Sequence, residues 1–385
     1  MRECLLFEVT IMLNKERLID EFIELVSVPC PSKDEKQEAE LIMSKLRAMG
    51  IEPEMDNVHE KTGGTCGNVW AYVKGNVPTA PVLFFEAHMD SVAPTTGTKV
   101  VRKDGVLYSD GTTTLGGDDK VGVAAMLEVV RALKEDGVPH GDIQLLFTVS
   151  EEIGCLGVVH MEKERIKADF GYCLDIGGDI GEITYAAPKL YDIYVTVTGK
   201  AAHAGIAPEE GVNAIMLAAD ALSKLPAYGR IDKETTFNVG LFNAGVGTNV
   251  VCPEAKFVID MRSLNVEGLE KLKDDTIKLI TDVVTSQGGK VEFEVHEGCP
   301  AVAVPTDHKC VKLAELAAEK MGLKPELKTT GGCSDGNFLC GYGLPCALLA
   351  TGMSNVHTTE EYLKEDDLFG TAKWMYEIVK LNAEQ

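Results

Sequence analysis

Short runs of consecutive apolar residues recur along the first half of the chain and again near its end. They cover residues 82–85, 143–149, 170–174 and 347–350. Continuous apolar runs of this length are typical of strands that are buried on both faces of a parallel sheet. Helical patterns lie between them, at residues 15–26, 35–49, 121–133, 309–321 and 367–381. This alternation predicts an α/β fold with a mostly parallel sheet.

The pattern changes at about residue 188. Alternating apolar and polar positions now predict strands at residues 191–198, 236–242, 255–262 and 291–295, with helices at 212–225 and 267–285. The order β-α-β-β-α-β is that of a ferredoxin-like unit. We therefore expect one α/β domain, formed by residues 12–187 and 305–385, that is interrupted by an inserted ferredoxin-like α+β domain at residues 188–304.

Acidic and histidine side chains follow the apolar runs. In chain order they are His88, Asp90, Asp118, Glu151, Glu152, Asp175 and His357. In open α/β sheets, ligands bind at the carboxyl ends of the strands. Histidine and carboxylate side chains gathered there fit zinc, with cobalt or manganese as alternatives. Taken singly, each residue has a plainer explanation, such as a capped strand end, an acid at a helix start or a solvated turn.

Two pairs among these residues suggest separate roles. Asp90 lies two residues after His88 and so faces the same side of a strand, where it can orient a metal-bound imidazole. Glu151 and Glu152 would repel each other beside an apolar strand unless a cation were present. One of them can then bind metal while the other accepts a proton from water.

Composition narrows the class of protein. The net charge is −23, from 60 acidic and 37 basic residues. This argues against nucleic acid or an anionic membrane as a partner, since both require basic surfaces. The 11 cysteines form no CxxC pairs, which favours free thiols in the cytoplasm. We expect no signal peptide or membrane span, and we expect residues 1–11 to be an unstructured extension or a start-site artefact.

The sequence is also compatible with two other classes of protein. Residues 332–336 match the GxSxG pattern of a serine nucleophile, but the preceding segment is polar and glycines interrupt the following one. The chain could also be a non-catalytic metal-binding protein. Chelator sensitivity separates the first reading from a metalloenzyme, and a peptide hydrolysis panel separates the second.

Five motifs together resemble a known family. They are His88-Met89-Asp90, Gly117-Asp118-Asp119-Lys120, Ser150-Glu151-Glu152-Ile153-Gly154, Leu174-Asp175 and Asn355-Val356-His357. In this order they resemble the co-catalytic zinc peptidase family of aminoacylase, carboxypeptidase G and peptidase T. Residues 199–205 and 330–337 look most like the peptidase T branch. Cys333 departs from the pattern, since family members commonly carry glycine there.

The resemblance implies a role for each site residue. His88, Asp118 and Asp175 would hold one zinc ion, and Asp118, Glu152 and His357 the other. Glu151 would be the general base toward a water that bridges the metals, and Asp90 would orient His88. The inserted domain would act as a lid and dimerisation domain, with His203 stabilising the oxyanion and Asn249 and Arg262 binding substrate.

The implied activity is hydrolysis of short peptides, as in a tripeptide aminopeptidase, by a cytoplasmic homodimer with two zinc ions per chain. The same metal centre can also serve an N-acyl-amino-acid amidohydrolase or a carboxypeptidase, because the centre sets the reaction and other contacts set the substrate. For Arg262, a surface ion pair with Asp260 is the plainer reading. For His203, the plainer reading is an ordinary loop histidine.

Overall fold

The computed structural model describes residues 13–225 and 228–384, so the expectation for residues 1–11 lies outside it. The chain divides into two compact units. Unit 1 contains the described residues up to Ala186, Val302–Thr329 and the residues from Ser334 onward. Unit 2 contains Ala187–Ala301 and Thr330–Cys333.

The strands fall into three sheets. In chain order they are β1 (Glu54–Met55), β2 (Val69–Val73), β3 (Leu83–His88), β4 (Val100–Lys103), β5 (Val106–Ser109), β6 (Ile143–Thr148), β7 (Phe170–Cys173), β8 (Glu182–Ala187), β9 (Lys189–Thr198), β10 (Gly229–Arg230), β11 (Thr235–Ala244), β12 (Glu254–Ser263), β13 (Lys290–Cys299), β14 (Val302–Ala303), β15 (Glu326–Thr329), β16 (Cys346–Leu349) and β17 (Tyr362–Lys364).

The helices lie between these strands. They are α1 (Lys15–Val26), α2 (Lys36–Ala48), α3 (His59–Thr62), α4 (Gly117–Asp136), α5 (Leu156–His160), α6 (Ala214–Ser223), α7 (Val266–Ser286), α8 (Lys309–Lys320), α9 (Asp335–Gly341) and α10 (Glu365–Ala383). Among the described residues, no helix is both long and apolar enough to cross a membrane.

The large sheet of unit 1 is mixed, with a parallel centre. Its order is β1-β2-β6-β3-β7-β16-β8-β14, and β15 pairs with β8. The pairs β6-β3, β3-β7 and β7-β16 are parallel, whereas β1-β2, β2-β6 and β16-β8 are antiparallel. Every residue of β3, β6, β7 and β16 is buried, because helices cover both faces of such a sheet. The predicted α/β class is therefore confirmed.

Unit 2 has the predicted ferredoxin-like topology. Its antiparallel sheet has the order β10-β11-β12-β9-β13. Alternate residues of β9 and β12 form its core with α6 and α7, among them Ile193, Val195, Phe257 and Ile259. The short strand β10 and a 3-10 helix at Pro208–Glu210 are additions to the expected order of elements in unit 2.

The cysteines differ in part from the sequence expectation of free thiols. Cys299 and Cys333 of unit 2 form a disulfide, with Cα atoms 6.5 Å apart. Eight other cysteines of the described chain are free, and all but Cys340 are buried. The expectation is thus wrong for Cys299 and Cys333. They lie 34 residues apart, and only the fold of unit 2 brings them together.

Candidate metal centre

The strand ends of unit 1 bring the predicted ligands to one edge of the sheet. His88 is the last residue of β3, and Asp175 lies two residues after β7. Glu151 and Glu152 follow β6, and the loop after β16 carries His357. Since the central strands run parallel, with His88 opposite Thr148 of β6, their carboxyl ends meet there.

Asp118 lies between the two histidines. Its Oδ1 is 3.1 Å from Nε2 of His88, and its Oδ2 is 3.1 Å from Nε2 of His357. Asp118 and Asp119 have non-helical backbone angles at the start of α4. One carboxylate that offers each oxygen to a different imidazole has the arrangement of a bridging ligand.

Glu152 and Asp175 complete the two halves of this arrangement. Oε2 of Glu152 is 3.0 Å from Nε2 of His357, and Oδ1 of Asp175 is 4.0 Å from Nε2 of His88. Ligand atoms around a tetrahedral zinc ion are about 3.3 Å apart, given bond lengths of about 2.0–2.1 Å. Oε1 of Glu152 is also buried without a hydrogen-bond partner. The donor set and its spacing therefore fit two divalent cations.

Glu151 also belongs to the cluster, although its carboxylate lies farther from the histidines than those of Asp118 and Glu152 do. It is buried, and one carboxylate oxygen lies within 4.8 Å of ligand atoms of His88 and Asp175. Its Oε1 accepts a hydrogen bond from Sγ of Cys155 at 3.2 Å. A carboxylate beside the ligands but outside the closest contacts is in a position to exchange protons.

Asp90 connects the two strand ends. Nδ1 of His88 lies 3.0 Å from the main-chain oxygen of Asp90 and 3.6 Å from its Oδ1. The carboxylate accepts hydrogen bonds from the main-chain N–H groups of Glu151 and Glu152, at 2.9 and 3.2 Å, and from Oγ of Ser32 at 2.6 Å. Asp90 therefore fixes the Glu151–Glu152 turn as well as the imidazole of His88.

The electrostatics of the cluster favour a bound cation. Burial lowers the pKa of His88, but hydrogen bonds with Asp118 and Asp90 outweigh it and hold the pKa well above its usual value. Hydrogen bonds with Asp118 and Glu152 raise the pKa of His357 to about 10. Burial, followed by the charge of Asp118, raises the pKa of Asp175. Protons on the imidazoles thus balance the carboxylates, and a cation would replace those protons.

Two buried residues around the cluster, Glu361 and Lys120, had no role predicted from the sequence. Glu361 accepts hydrogen bonds from the main-chain N–H groups of Gly116 and Asp118, at 2.9 and 3.1 Å. The buried Lys120 donates to the main-chain oxygen of Met89 at 2.7 Å and to Oγ of Ser91 at 2.9 Å. Lys120 follows Asp119 in the motif Gly117-Asp118-Asp119-Lys120, so its position in the sequence could have indicated a role. The sequence around Glu361 gave no such indication.

The remaining predicted residues lie in unit 2. His203 is exposed, forms an isolated bridge with Val250, and accepts a hydrogen bond from the N–H of Gly205 at its Nδ1. The main-chain oxygen of Asn249 accepts from the N–H of Ala204 at 3.0 Å. These contacts make His203 and Asn249 neighbours.

Arg262 forms the ion pair with Asp260 that was the plainer expectation from the sequence. Its Nη2 is 2.9 Å from Oδ2 of Asp260, and its Nη1 donates to the main-chain oxygen of Gly331 at 3.2 Å. The guanidinium is partly exposed. Arg262 therefore holds residues 330–333 within unit 2, whatever it does to substrate.

Ser334 does not have the surroundings of a serine nucleophile. It is buried before the first residue of α9, its N–H donates to Oδ1 of Asn337, and its Oγ lies 3.7 Å from Sγ of Cys173. The preceding strand β15 ends at Thr329 and is largely exposed. The residues that match GxSxG therefore lead into the start of α9 and do not form a nucleophile turn.

The fold and the site define a class, that of metallopeptidases with an α/β domain and an inserted ferredoxin-like domain. Residues 84–381 match the model of Peptidase family M20/M25/M40, and the chain belongs to this family. It is a hydrolase of the metallopeptidase type, in the peptidase T-like branch.

Similarity to individual proteins extends along nearly the whole chain. An aminopeptidase PepT from Bacillus cereus is 39% identical with a TM-score of 0.93, covering 97% of this chain and 100% of that one. A tripeptidase from Staphylococcus aureus is 35% identical with a TM-score of 0.94, covering 97% and 100%. The protein YqjE of Bacillus subtilis is 37% identical over 369 residues, 96% of this chain and 99% of its own length.

Proposed function

We propose that this protein is a two-metal aminopeptidase that removes the N-terminal residue from tripeptides in the cytoplasm. The observation that carries the proposal is the Asp118 carboxylate, whose two oxygens each lie 3.1 Å from a different imidazole. The names of two similar structures, an aminopeptidase and a tripeptidase, support the choice of substrate.

Each cation would have three protein ligands. His88, Asp118 and Asp175 would hold one, and Asp118, Glu152 and His357 the other, with zinc as the proposed ion and cobalt or manganese as substitutes. When bound, the two cations would supply Lewis acidity toward the scissile carbonyl and lower the pKa of water. Asp90 would keep the His88 imidazole oriented through its contacts at Nδ1.

Glu151 would act as the general base and then as the general acid. Burial, followed by the charge of Asp175, raises the pKa of its carboxyl, which suits a group that takes a proton and returns it. It would accept the proton of the attacking water and deliver it to the leaving amine. The hydrogen bond from Cys155 holds one oxygen in place, which leaves the other for this transfer.

Unit 2 would supply substrate recognition and the dimer contact. We propose that Arg262 pairs with the substrate carboxylate, that Asn249 binds the peptide and that His203 stabilises the developing oxyanion. Arg262 can exchange its partner at little cost in free energy, since its ion pair with Asp260 is partly exposed and such pairs contribute little to stability.

A substrate panel tests the function. Protein loaded with zinc, cobalt or manganese is given tripeptides, dipeptides, C-terminally amidated tripeptides and N-acylated amino acids. We expect the highest kcat/KM on tripeptides with a free amine. Preference for acylated amino acids or for release of the C-terminal residue would replace this proposal with an amidohydrolase or a carboxypeptidase. Sedimentation of the loaded protein tests the homodimer, and a monomer would contradict it.

A further inference from the structure

A second group of potential metal ligands adjoins the candidate base. Glu151, Cys155 and Asp335 each offer a ligand atom within 4.8 Å of the others, and all three residues are buried. Cys155 and Asp335 belong to neither proposed cation site. The group lies entirely within unit 1.

The backbone holds Glu151 and Cys155 at a separation that suits a shared ion. The N–H groups of Gly154 and Cys155 donate to the main-chain oxygen of Glu151, at 2.9 and 2.7 Å. Oε1 of Glu151 is 3.2 Å from Sγ of Cys155. A carboxylate oxygen and a sulfur on one tetrahedral zinc ion are about 3.5 Å apart, given bonds of about 2.0 and 2.3 Å.

The Asp335 carboxylate supplies an independent observation that points to a ligand. Its Oδ2 accepts a hydrogen bond from Oγ1 of Thr148 at 2.5 Å, but its Oδ1 is buried without a hydrogen-bond partner. Asp335 is only 1% exposed. An unpaired carboxylate oxygen at this depth costs free energy that a cation would recover.

We propose that Glu151, Cys155 and Asp335 form a third cation site, which binds a soft divalent ion and inhibits the enzyme by occupying its base. The inference rests on the proposed role of Glu151. A thiolate with two carboxylates favours Cd²⁺ and excess Zn²⁺ over Mn²⁺, which prefers oxygen ligands alone.

Binding exchanges a proton for the ion. Burial raises the pKa of the Cys155 thiol, and the charges of Asp335 and Glu151 raise it further, so the thiol is protonated without a cation. The cation forms a bond with sulfur, and the thiol proton leaves to solvent. Thr148 also contacts Glu86, whose Oε1 lies 3.2 Å from that hydroxyl.

The test measures the sulfur–metal bond directly. Protein holding two zinc ions, with the Cys299–Cys333 disulfide verified by thiol count, is titrated with Cd²⁺ while the ultraviolet thiolate-to-cadmium absorption is recorded. We expect one equivalent to produce the band in the parent protein, and Cys155→Ser to abolish it with both zinc ions retained. Cys173→Ser removes another buried thiol of unit 1 and should leave the band unchanged.

A second variant and an activity measurement complete the experiment. Asp335→Asn should weaken cadmium binding at least tenfold, and peptide hydrolysis by the parent should fall with the same midpoint as the band appears, whereas Mn²⁺ should produce no such loss. The inference fails if Cys155→Ser keeps the band, or if an active enzyme shows neither band nor inhibition. Failure of the proposed function is distinguishable, since the band would then form in a protein that hydrolyses no peptide.

Discussion

The two units handle charged side chains in opposite ways. In unit 1, the carboxyls of Glu38, Glu86 and Asp119 are fully buried, and burial raises the pKa of each. In unit 2, Glu270 pairs with Lys189 and Lys273 at the surface, and these hydrogen bonds lower its pKa to about 2.

The difference follows from the two kinds of sheet. A sheet covered on both faces buries acids of its strands and of its flanking helices, such as Glu86 in β3 and Glu38 in α2, and buried carboxylates need cations or protons. An antiparallel sheet with one covered face lets its charges form solvated pairs, which contribute little. The buried acids of unit 1 therefore need a proton or a cation, whereas Glu270 of unit 2 is neutralised by neighbouring lysines at the surface.

The largest effect should come from the candidate base in unit 1. We expect Glu151→Ala to lower kcat by roughly 10²–10⁴-fold, the usual contribution of general acid–base catalysis, while both metals stay bound. Kinetics together with metal analysis check this. Glu152→Ala, one residue away, should lose a metal; equal metal loss in both variants would contradict the separate roles.

A pair of histidine variants compares the units directly. His357→Ala should reduce the bound metal from two equivalents to about one, because His357 contacts Asp118 and Glu152. His203→Ala in unit 2 should retain both equivalents and lose only turnover. Elemental analysis after dialysis measures this, and full stoichiometry in His357→Ala would refute the ligand assignment.

Arg262 tests substrate contact in unit 2. We expect Arg262→Ala to raise KM for tripeptides by roughly 10–100-fold, the value of a charge-assisted hydrogen bond to a carboxylate, with little change in kcat. Amidated tripeptides provide the control, since they lack that carboxylate. A similar rise in KM on both substrates would assign Arg262 to holding Gly331 alone.

Glu38 and Glu270 should contribute differently to the pH dependence of the free energy of unfolding. Burial raises the pKa of Glu38 to about 8, so the folded state keeps its proton from pH 4.5 to 8 while the unfolded state loses it. The free energy of unfolding should therefore fall by up to roughly 1.4 kcal/mol per pH unit over this range.

Denaturation at pH 5 and pH 8 measures the effect. Glu38→Gln should make this slope shallower by the share that Glu38 contributes, while other buried acids with a raised pKa, such as Glu86 and Asp119, keep the rest. Glu270 has a lowered pKa, so its stabilising contribution is already complete above pH 4.5 and is lost only as pH falls toward 2; Glu270→Gln should leave the slope between pH 5 and 8 unchanged. Equal slopes for the parent and Glu38→Gln would show that Glu38 is not buried as a neutral acid.

The sequence was informative wherever one local pattern determined the structure. The helix predicted at residues 15–26 is α1 (Lys15–Val26), and the apolar runs became the buried strands of unit 1. The small sheet β17-β5-β4 was not predicted, because its strands have three or four residues and little apolar periodicity.

Contacts between distant segments were harder to predict. The gathering of His88, Asp118, Glu152, Asp175 and His357 followed from strand ends and motifs. The contacts of Glu361 with Gly116, of Asp90 with the Glu151–Glu152 turn, and the bond between Cys299 and Cys333 depend on side-chain placement across long separations. The hydrophobic periodicity of the sequence gives no information about contacts of this kind.

Anomalous diffraction from zinc-soaked crystals tests the central claim most directly. The account predicts two peaks, one between Asp118 and the His88–Asp175 pair and the other between Asp118 and the Glu152–His357 pair. Data collected on either side of the zinc edge would assign both peaks to zinc. A single peak, or peaks away from the Asp118 carboxylate, would contradict the account.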